Sequence, residues 1–543
     1  MSVFNYHDRT KHSFHRFARS LGYLDWASQP DPFRRYRGAP ILSLPRTSLA
    51  SEVPYSRLYE PPSTLPAPVT VDAIGEFLRC SLGLSAWKQA GESRWALRVN
   101  PSSGNLHPTE GYVVTGPGAL APHPAVFHYA PREHVLEERA ELGWELDDQR
   151  WAGTFLVALT SIHWREAWKY GERAYRYCQH DAGHALGALR AAAAMLGWRM
   201  TLLPRWSDAD LATLLGLEQP SPDDAEVEAP DCLVAVGGPD LSHWLEADPS
   251  LFVRAVHAVR WQGVPNRLSG EHVAWPLIEE VSRSARFPGL ADVDRTGTAV
   301  RVRPAFALPA PESAGVQAPA PSARAVILGR RSAVAFDGSG RLSLASFSQM
   351  LGRLQPPSPP WDVPWWDPQV HLVFFVHRVD GLLPGIYAFT RETGADRSLR
   401  SECRPDFLWE PMQEVDGLFL LAPLDCRSLA RRLSCDQDIA ADGFFGAAMV
   451  ARFDESIRAR GDWFYRNLFW ECGMIGQVLY LEAEAAGARA TGIGCYYDDP
   501  VHELLGLGDR TWQSLYHFSM GTPIGDNRLT TSPGYDWGEP DAT

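Results

Sequence analysis

The chain has 543 residues, a formal net charge of −14 and a mean hydropathy of −0.22, and 45% of its residues are hydrophobic. At roughly 150 residues per domain, this length predicts two to four domains. Nucleic acids and anionic membranes bind clustered basic surfaces, so this acidic chain is not expected to bind either. The sequence has no apolar run near the roughly 18 residues of a membrane span and no secretory leader, so we expect a cytoplasmic protein.

Residues 1–60 are predicted to be an N-terminal extension. They include His7, Lys11, His12 and His15. These side chains could contact a substrate, but a solvated basic arm is the favoured interpretation.

The next elements alternate between strand and helix patterns. Short β-branched or aromatic runs at residues 112–114, 155–159 and 371–376 predict strands. Residues 178–197 and 468–487 are rich in small residues at helical spacing and end at a glycine, which predicts two closely packed buried helices. The sequence therefore predicts a mixed α and β fold.

An internal repeat divides the chain. Gly183 matches Gly473 and Gly216 matches Gly506 at one offset of 290 residues, and upstream segments match at an offset of 260. Such a register predicts two homologous domains, residues 61–300 and 326–543. Residues 301–325 are rich in proline and alanine and are predicted to be an extended linker.

The first candidate binding motif is Pro-Ser-Ser-Gly-Asn at residues 101–105, just before a predicted strand. Pro101 fixes the turn, Gly104 permits close approach of a ligand, and the serines and Asn105 offer hydroxyl and amide groups. An ordinary polar loop has the same composition, so this motif alone leaves both interpretations open.

The second candidate motif is the Arg-Arg-Ser sequence at residues 330–332. Two guanidinium groups beside a hydroxyl suit an anion such as phosphate, although arginine pairs are also common on solvated surfaces. Gly-Ile-Gly at residues 492–494 and Arg528 add glycine-permitted backbone approach and a further cation.

These motifs, in this order and in two copies, resemble the flavin-dependent nitroreductase superfamily. Lys-Tyr-Gly-Glu-Arg at residues 169–173 and His-Pro-Thr-Glu at 107–110 are similar to its SagB/ThcOx-type dehydrogenase branch. The resemblance implies an α+β fold, with a mainly antiparallel central sheet flanked by helices, in two tandem nitroreductase-like domains. Members dimerise around FMN, so the two domains are expected to form an intrachain pseudo-dimer; further association of chains is left open.

The two halves differ in a complementary way. The second domain keeps the arginines, but residues 356–361 and neighbouring tryptophans replace its Pro-Ser-Ser loop, whereas in the first domain residues 54–57 and 202–204 replace the Arg-Arg-Ser and Gly-Ile-Gly motifs. We therefore expect one FMN site per chain, built by both domains. The tryptophans could line a substrate pocket, pack in the core or form a lid, and the lid is the favoured interpretation. The resemblance assigns FMN binding to Arg98, Pro101, Ser102, Ser103, Gly104, Asn105, Arg330, Arg331, Ser332, Gly492, Ile493, Gly494 and Arg528.

Lys169 and Tyr170 are the candidate catalytic residues, since the second copy has alanine and arginine at the matching positions 459 and 460. By resemblance, Lys169 acts as a base beside the flavin and the Tyr170 hydroxyl polarises the substrate or relays a proton. A solvated cation at a helix end is the competing interpretation of Lys169.

No metal site is predicted. His180 and His184 imitate a zinc-binding pair, but the second copy does not repeat them, which favours packing over metal binding. The eight cysteines never fall at CxxC spacing and are expected to be reduced and mostly buried.

By resemblance, the expected function is FMN-dependent oxidation of an amino-acid-derived unit, such as an azoline, in peptide natural-product biosynthesis. The expected partners are a small-molecule or peptide substrate and biosynthetic enzymes. One alternative is an NAD(P)H-dependent reductase of nitro compounds or quinones, and another is a degenerate, flavin-free scaffold that binds partner enzymes.

Overall fold

The computed structural model describes residues 2–46, 53–60, 65–143, 146, 149–219, 226–256, 259–290, 321–413 and 415–535. Most of the predicted linker, residues 301–320, lies outside the described residues. Its last residues are helical rather than extended, because the Ser322 hydroxyl accepts a hydrogen bond from the amide of Ala325 at 3.2 Å and caps a helix there.

The helices of the described residues are, in chain order, α1 (Val3–Arg9), α2 (Val71–Arg79), α3 (His163–Tyr170), α4 (Ala174–Met195), α5 (Asp208–Leu215), α6 (Ser242–Leu245), α7 (Pro249–Val256), α8 (Pro276–Ser284), α9 (Ala323–Gly329), α10 (Leu344–Arg353), α11 (Ala395–Glu402), α12 (Arg427–Leu433), α13 (Ile439–Asp442), α14 (Phe453–Arg460), α15 (Phe464–Ala485) and α16 (Asp498–Leu505).

The strands of the described residues are β1 (Tyr36–Arg37), β2 (Ile41–Ser43), β3 (Leu84–Ala90), β4 (Ser93–Arg98), β5 (Thr109–Thr115), β6 (Ala125–Ala130), β7 (Val135–Glu141), β8 (Thr154–Ile162), β9 (Arg199–Leu202), β10 (Glu228–Gly237), β11 (Val264–Pro265), β12 (Val370–Val376), β13 (Gly385–Phe389), β14 (Glu410–Pro411), β15 (Leu418–Pro423), β16 (Phe445–Arg452), β17 (Arg489–Ile493), β18 (Trp512–Gly521) and β19 (Thr530–Pro533).

Two seven-stranded antiparallel sheets confirm the repeat. Their orders are β2-β7-β6-β5-β8-β10-β9 and β14-β15-β13-β12-β16-β18-β17. Phe155 pairs with Val236 in the first sheet, and its equivalent Phe445 pairs with Met520 in the second. Helices flank both sheets, so the predicted α+β fold with two homologous domains is confirmed.

Helices α4 and α15, one from each domain, pack against each other at the centre of the molecule. A Cβ atom on Gly183 would lie 2.3 Å from the carbonyl oxygen of Trp470, and one on Gly473 would lie 2.2 Å from that of His180. Since Gly183 and Gly473 are equivalent in the repeat, the helices cross at a local pseudo-two-fold axis. The prediction of closely packed buried helices is confirmed, although both begin four residues earlier than expected.

Buried ion pairs related by the repeat join the domains around this crossing. Arg176 of α4 binds Asp498 at 2.8 Å, and the equivalent Arg466 of α15 binds Asp208 at 2.7 Å. Each arginine has a carboxylate partner on the opposite domain, so neither buried charge is left uncompensated.

Both ends of the described chain also tie the domains together. Strand β19 lies near the end of the second domain but pairs with β3 of the first, with Thr531 opposite Lys88. Helix α1 packs between the domains: Tyr6 donates to the carbonyl of Glu172 at 2.8 Å, and His7 lies 3.1 Å from the side chain of Gln513.

The favoured interpretation of the N-terminal extension as a solvated arm is therefore wrong for His7 and His12. His7 is fully buried, and His12 is 7% exposed because its backbone amide donates to Asp498. Lys11 lies 3.2 Å from Asp499, and His15 remains exposed.

The helix crossing predicts that Gly183→Ala destabilises the protein. Through helix propensity alone, replacing glycine with alanine would stabilise the folded protein by about 1 kcal/mol. The added methyl group, however, has no space against Trp470. We expect a net loss of about 2 kcal/mol or more, seen as a lower midpoint of urea unfolding. Gly270→Ala is the matched control, because no atom lies within 4 Å of its Cβ position; it should change stability by less than about 0.5 kcal/mol. An unchanged midpoint for Gly183→Ala would contradict the crossing geometry.

Candidate functional site

The loop at residues 101–105 lies between β4 and β5 and faces helix α4. The Ser103 amide and hydroxyl both donate to the Asp181 carboxylate, each at 3.1 Å from Oδ1. Ser102 accepts from the amide of His107 at 2.8 Å, and Asn105 donates to the carbonyl of Ala96 at 2.9 Å. These bonds fix the loop against α4 in one conformation.

Gly104 brings the loop to the two candidate catalytic residues. Its φ of +60° favours glycine, and a Cβ atom there would lie 2.6 Å from the Tyr170 hydroxyl and 3.2 Å from Lys169 Nζ. Helix α3, which carries both residues, ends at Gly171, where the N-terminal segment passes too close for any side chain: a Cβ would lie 2.3 Å from the carbonyl oxygen of Arg19. The loop and the Lys169–Tyr170 pair therefore form one group.

Arg330 joins the two halves of the candidate site. Its buried guanidinium donates to the carbonyl of Val99 at 3.2 Å and to that of Arg98 at 3.0 Å. Arg330 of the second domain thus lies against the backbone just before the Pro-Ser-Ser loop of the first domain. The Arg98 side chain is directed elsewhere, to the carbonyls of Thr109 and Pro32, so Arg98 meets Arg330 through its backbone.

Ser332 and the Gly-Ile-Gly segment converge on Tyr480 of α15. The Tyr480 hydroxyl lies 2.9 Å from the Ser332 hydroxyl and accepts a hydrogen bond from the Gly492 amide at 2.9 Å. Ile493 is 3% exposed and packs into its own domain, so it can offer the site only its backbone.

Aromatic side chains close the space between the Gly-Ile-Gly segment and α4. Tyr177 of α4 donates to the Gly494 carbonyl at 3.1 Å. A Cβ on Gly492 would lie 1.9 Å from the Tyr516 hydroxyl, which is 3.2 Å from His184 Nε2. Glycines are required here because tyrosines approach the backbone closely.

His180 and His184 both serve the contact between domains. His180 Nε2 lies 3.0 Å from the carbonyl oxygen of Leu515, and its ring stacks on Tyr516 at 4.1 Å between centroids.

A cluster of cations extends the site beyond Arg330. Burial, followed by the charges of Arg330 and Arg489, lowers the pKa of Arg331 to about 10. Burial, Arg489 and Arg331 also lower the pKa of Lys88. Arg528 lies in the turn before β19, 86% exposed and paired with Asp526.

Sequence reasoning missed several residues of this site, chiefly Lys88, Arg489, Asp181, Tyr177, Tyr480 and Tyr516. Asp181 could have been found, because the repeat retains an acid there as Glu471. Lys88 and Arg489 gave no local signal, since each lies in an ordinary strand pattern.

Two buried acids lie beside the loop. Burial raises the pKa of Asp181 to about 7, although hydrogen bonds from Ser102 and Ser103 oppose the shift. Burial, and then the charge of Asp181, raise the pKa of Glu166 well above its usual value, while Lys169 opposes this shift. The site therefore holds a carboxyl group that titrates near neutral pH.

The pseudo-equivalent position in the other half is filled with protein. The Leu202 amide reaches the carbonyl of Val363 at 3.4 Å, and Trp361 and Trp366 are each only 8% exposed. Trp361 stacks under the guanidinium of Arg391 at 3.8 Å. The prediction of a tryptophan lid is wrong, because these side chains are part of the hydrophobic core.

Comparisons with known proteins agree with the fold. The model of the nitroreductase family matches residues 65–238 and 415–522, together more than half of the chain. The chain belongs to the nitroreductase family. No curated protein matches it. Within the described residues, no helix is long and apolar enough to cross a membrane.

One solved structure shows the same fold along almost the whole chain, and others are similar to part of it. A protein from Anabaena variabilis, described as a nitroreductase, is 21% identical and superposes with a TM-score of 0.68, covering 96% of this chain and 100% of its own. A nitroreductase-like protein from Ralstonia eutropha is 16% identical, with a TM-score of 0.28 and coverage of 38% and 95%. The E. coli microcin synthetase McbBCD complex, with truncated pro-MccB17 bound, gives 18% identity, a TM-score of 0.27 and coverage of 44% and 92%.

Nitroreductase-family proteins generally bind FMN, and the residues of this site fit that cofactor. The buried Nη1 atom of Arg330 has no hydrogen-bond partner. The mutually repelling cations Arg330, Arg331, Arg489 and Lys88 suit a phosphate group, which would supply several acceptor oxygens and negative charge.

The raised pKa of Asp181 predicts a pH-dependent stability. Because its folded-state pKa of about 7 exceeds the unfolded value near 4, protonation of Asp181 stabilises the fold. That stabilisation is complete below about pH 4 and is lost as the pH rises through about 7. The unfolding free energy of the wild type, relative to that of Asp181→Asn, should therefore fall over this range by up to about 4 kcal/mol.

Urea unfolding of both proteins across this pH range measures the effect. Asp248→Asn, which replaces an exposed carboxylate, is the control and should show no such fall. Parallel pH profiles for the wild type and Asp181→Asn would show that Asp181 ionises normally.

Proposed function

We propose that this nitroreductase-family chain is an FMN-dependent dehydrogenase of the SagB/ThcOx type, with one flavin site per chain. The observation that carries the proposal is the asymmetry between the two halves. Arg330 of the second domain donates to the backbone of Arg98 and Val99, just before the Pro-Ser-Ser loop of the first domain, whereas the pseudo-equivalent position is packed with Trp361 and Trp366.

The proposed cofactor contacts follow the charges and backbone groups present. Arg331, Lys88 and Arg489 form a basic cluster suited to the phosphate, and exposed Arg528 is proposed to add a further cation. The backbones of the 101–105 loop and the Gly-Ile-Gly segment are proposed to contact the flavin. Bound FMN would supply a two-electron hydride acceptor, with oxygen as the proposed final acceptor.

Lys169 and Tyr170 are proposed to handle the substrate proton. Both lie at the Gly104 turn, and Lys169 is half-buried rather than fully solvated. Burial, and then the charge of Glu166, raise the pKa of Tyr170 well above its usual value. Tyr170 therefore keeps its proton and can donate a hydrogen bond to substrate, while the Lys169 amine accepts the proton that substrate loses.

The proposed substrate is an amino-acid-derived unit such as an azoline, oxidised to an azole in the biosynthesis of a peptide natural product. The proposed setting is the cytoplasm, with biosynthetic enzymes as partners. The proposal rests on the combination of the composite site with the Lys169–Tyr170 pair, which the second domain lacks.

FMN binding tests the composite site. Equilibrium titration of the full chain should give about one FMN per chain, and Arg331→Ala should raise the Kd at least tenfold, about 1.4 kcal/mol. Because Arg331 also donates to three carbonyls, the exposed Arg528→Ala provides a second test in which folding is unaffected. Arg431→Ala, which removes an exposed arginine paired with Asp438, is the control. Two FMN molecules per chain would contradict the single site, and no binding would contradict the flavin proposal.

Lys169→Ala and Lys169→Arg test the proposed base. Both variants should keep FMN, with an unchanged Kd, and lower the rate at which an azoline peptide bleaches the flavin by about 100-fold or more. Arginine retains the charge but cannot act as a base at neutral pH, so it separates charge from proton transfer. Loss of FMN in either variant would show a structural role, and efficient NADPH oxidation by the wild type would favour the reductase alternative.

A further inference from the structure

Two cysteines lie together at the edge of the candidate site. Cys435 follows helix α12, and Cys495 directly follows Gly494. Their Sγ atoms are 3.0 Å apart, which is closer than two sulfur atoms in ordinary van der Waals contact. Both are half-buried, whereas the other six cysteines are buried. These two cysteines are therefore the thiols of the chain that are most accessible to a reagent in solution.

The backbone holds the two cysteine loops in place. Cys435 and Asp436 have φ values of +54° and +57°, a conformation that non-glycine residues adopt only when their surroundings fix it. The Gln437 side chain donates to the carbonyl of Cys495 at 2.9 Å, and the amide of Tyr497 donates to that of Leu433 at 2.9 Å. These bonds cross from one loop to the other, so the sulfur atoms are held in proximity rather than meeting by chance.

Charge favours Cys495 as the reactive member of the pair. The hydrogen bond between the two thiols is the largest cause that lowers the pKa of Cys495, and His12 and Arg173 lower it further, although burial opposes the shift. In contrast, burial raises the pKa of the buried thiols Cys178 and Cys472 well above the usual value. The thiolate is the nucleophilic form of cysteine.

We propose that Cys435 and Cys495 form a redox-active dithiol site that reacts with low-molecular-weight disulfides. The Cys495 thiolate attacks one sulfur of the small disulfide, forms a mixed disulfide and releases one thiolate. Cys435 then loses its proton and attacks Cys495 Sγ, which forms the Cys435–Cys495 disulfide and releases the second thiolate. Two electrons pass from the cysteine pair to the small disulfide, which leaves as two thiols.

A metal ion fits this cluster less well, although His12 Nδ1 lies 3.9 Å from Cys495 Sγ. Zinc–sulfur bonds of about 2.3 Å in a tetrahedral site place two thiolates roughly 3.8 Å apart. The 3.0 Å separation is shorter than this spacing, so the two sulfur atoms would have to move apart to bind zinc. Arg173, whose guanidinium lies 3.3 Å from the Gly494 carbonyl, also favours a thiolate and opposes a bound cation.

The experiment uses the full chain, reduced and desalted, with the aromatic disulfide 5,5′-dithiobis(2-nitrobenzoate) as the probe. The wild type should release two aromatic thiolates per chain and retain no adduct, while its mass falls by about 2 Da as the internal disulfide closes. Cys435→Ser should release one thiolate and keep the adduct, because no second thiol can displace it. Cys495→Ser should react at least about tenfold more slowly than the wild type.

Cys403→Ser, which removes a buried thiol, is the matched control and should behave as the wild type does. Peptide mapping under non-reducing conditions should join residues 435 and 495. Two stable adducts on the wild type would show independent thiols and overturn the proposal. A zinc ion retained at about one per chain, blocking both thiols until it is chelated, would overturn it in favour of a metal site. The readouts are mass and released thiolate, so they do not depend on flavin.

Discussion

The crossing of α4 and α15 is the contact on which the other features of the molecule depend. Gly183 and Gly473 let two backbones approach to a distance that no side chain would allow. Helix α4 thereby reaches both domains: Asp181 meets Ser103 of its own domain, and His184 meets Tyr516 of the other. A wider separation of the helices would part the Pro-Ser-Ser loop from the second domain, and the composite site would cease to exist. The packing of two small residues thus determines the geometry of polar groups at some distance from them.

The same crossing relates two positions that have diverged. At one position Asp181 receives two hydrogen bonds from Ser103 but no arginine, so burial keeps its pKa high. At the other position, the equivalent Glu471 accepts hydrogen bonds from the backbone amides of Gln369 and Val370 and forms an ion pair with Arg391. A buried acid that is paired with a base contributes to a stable structure. A buried acid without such a partner is costly, and such groups are retained chiefly at functional sites. The filled half therefore contributes to stability, and the polar half retains the groups suited to ligand binding.

The sequence was enough to predict the repeat, both central helices, the α+β class and the complementary loss of motifs, because each of these leaves a local pattern at a constant offset. It was not enough to place Lys88 or the tryptophans. Lys88 joins the basic cluster through a contact between the domains, since Arg331 of the second domain donates to the carbonyl of Ser85 on the same strand β3. Trp361 was expected to form a lid, but its side chain fills the pseudo-equivalent position. The prediction failed because aromatic composition alone cannot distinguish a core from a lid.

The N-terminal segment shows why its charge pattern led to the wrong prediction of a solvated arm. Its histidines suggested a solvated arm, but buried polar side chains are tolerated where each finds a partner. The His7 side chain lies within hydrogen-bond distance of Gln513 and Tyr465. The backbone amide of His12 donates to Asp498, which also forms ion pairs with Arg173 and Arg176. Further along, the segment passes over Gly171 and so fixes the end of the helix that carries Lys169 and Tyr170. At the matching Gly461, a Cβ atom would come within 4 Å of Trp463 alone among the described residues beyond its chain neighbours. The extension thus supports the half of the molecule that keeps the candidate catalytic pair.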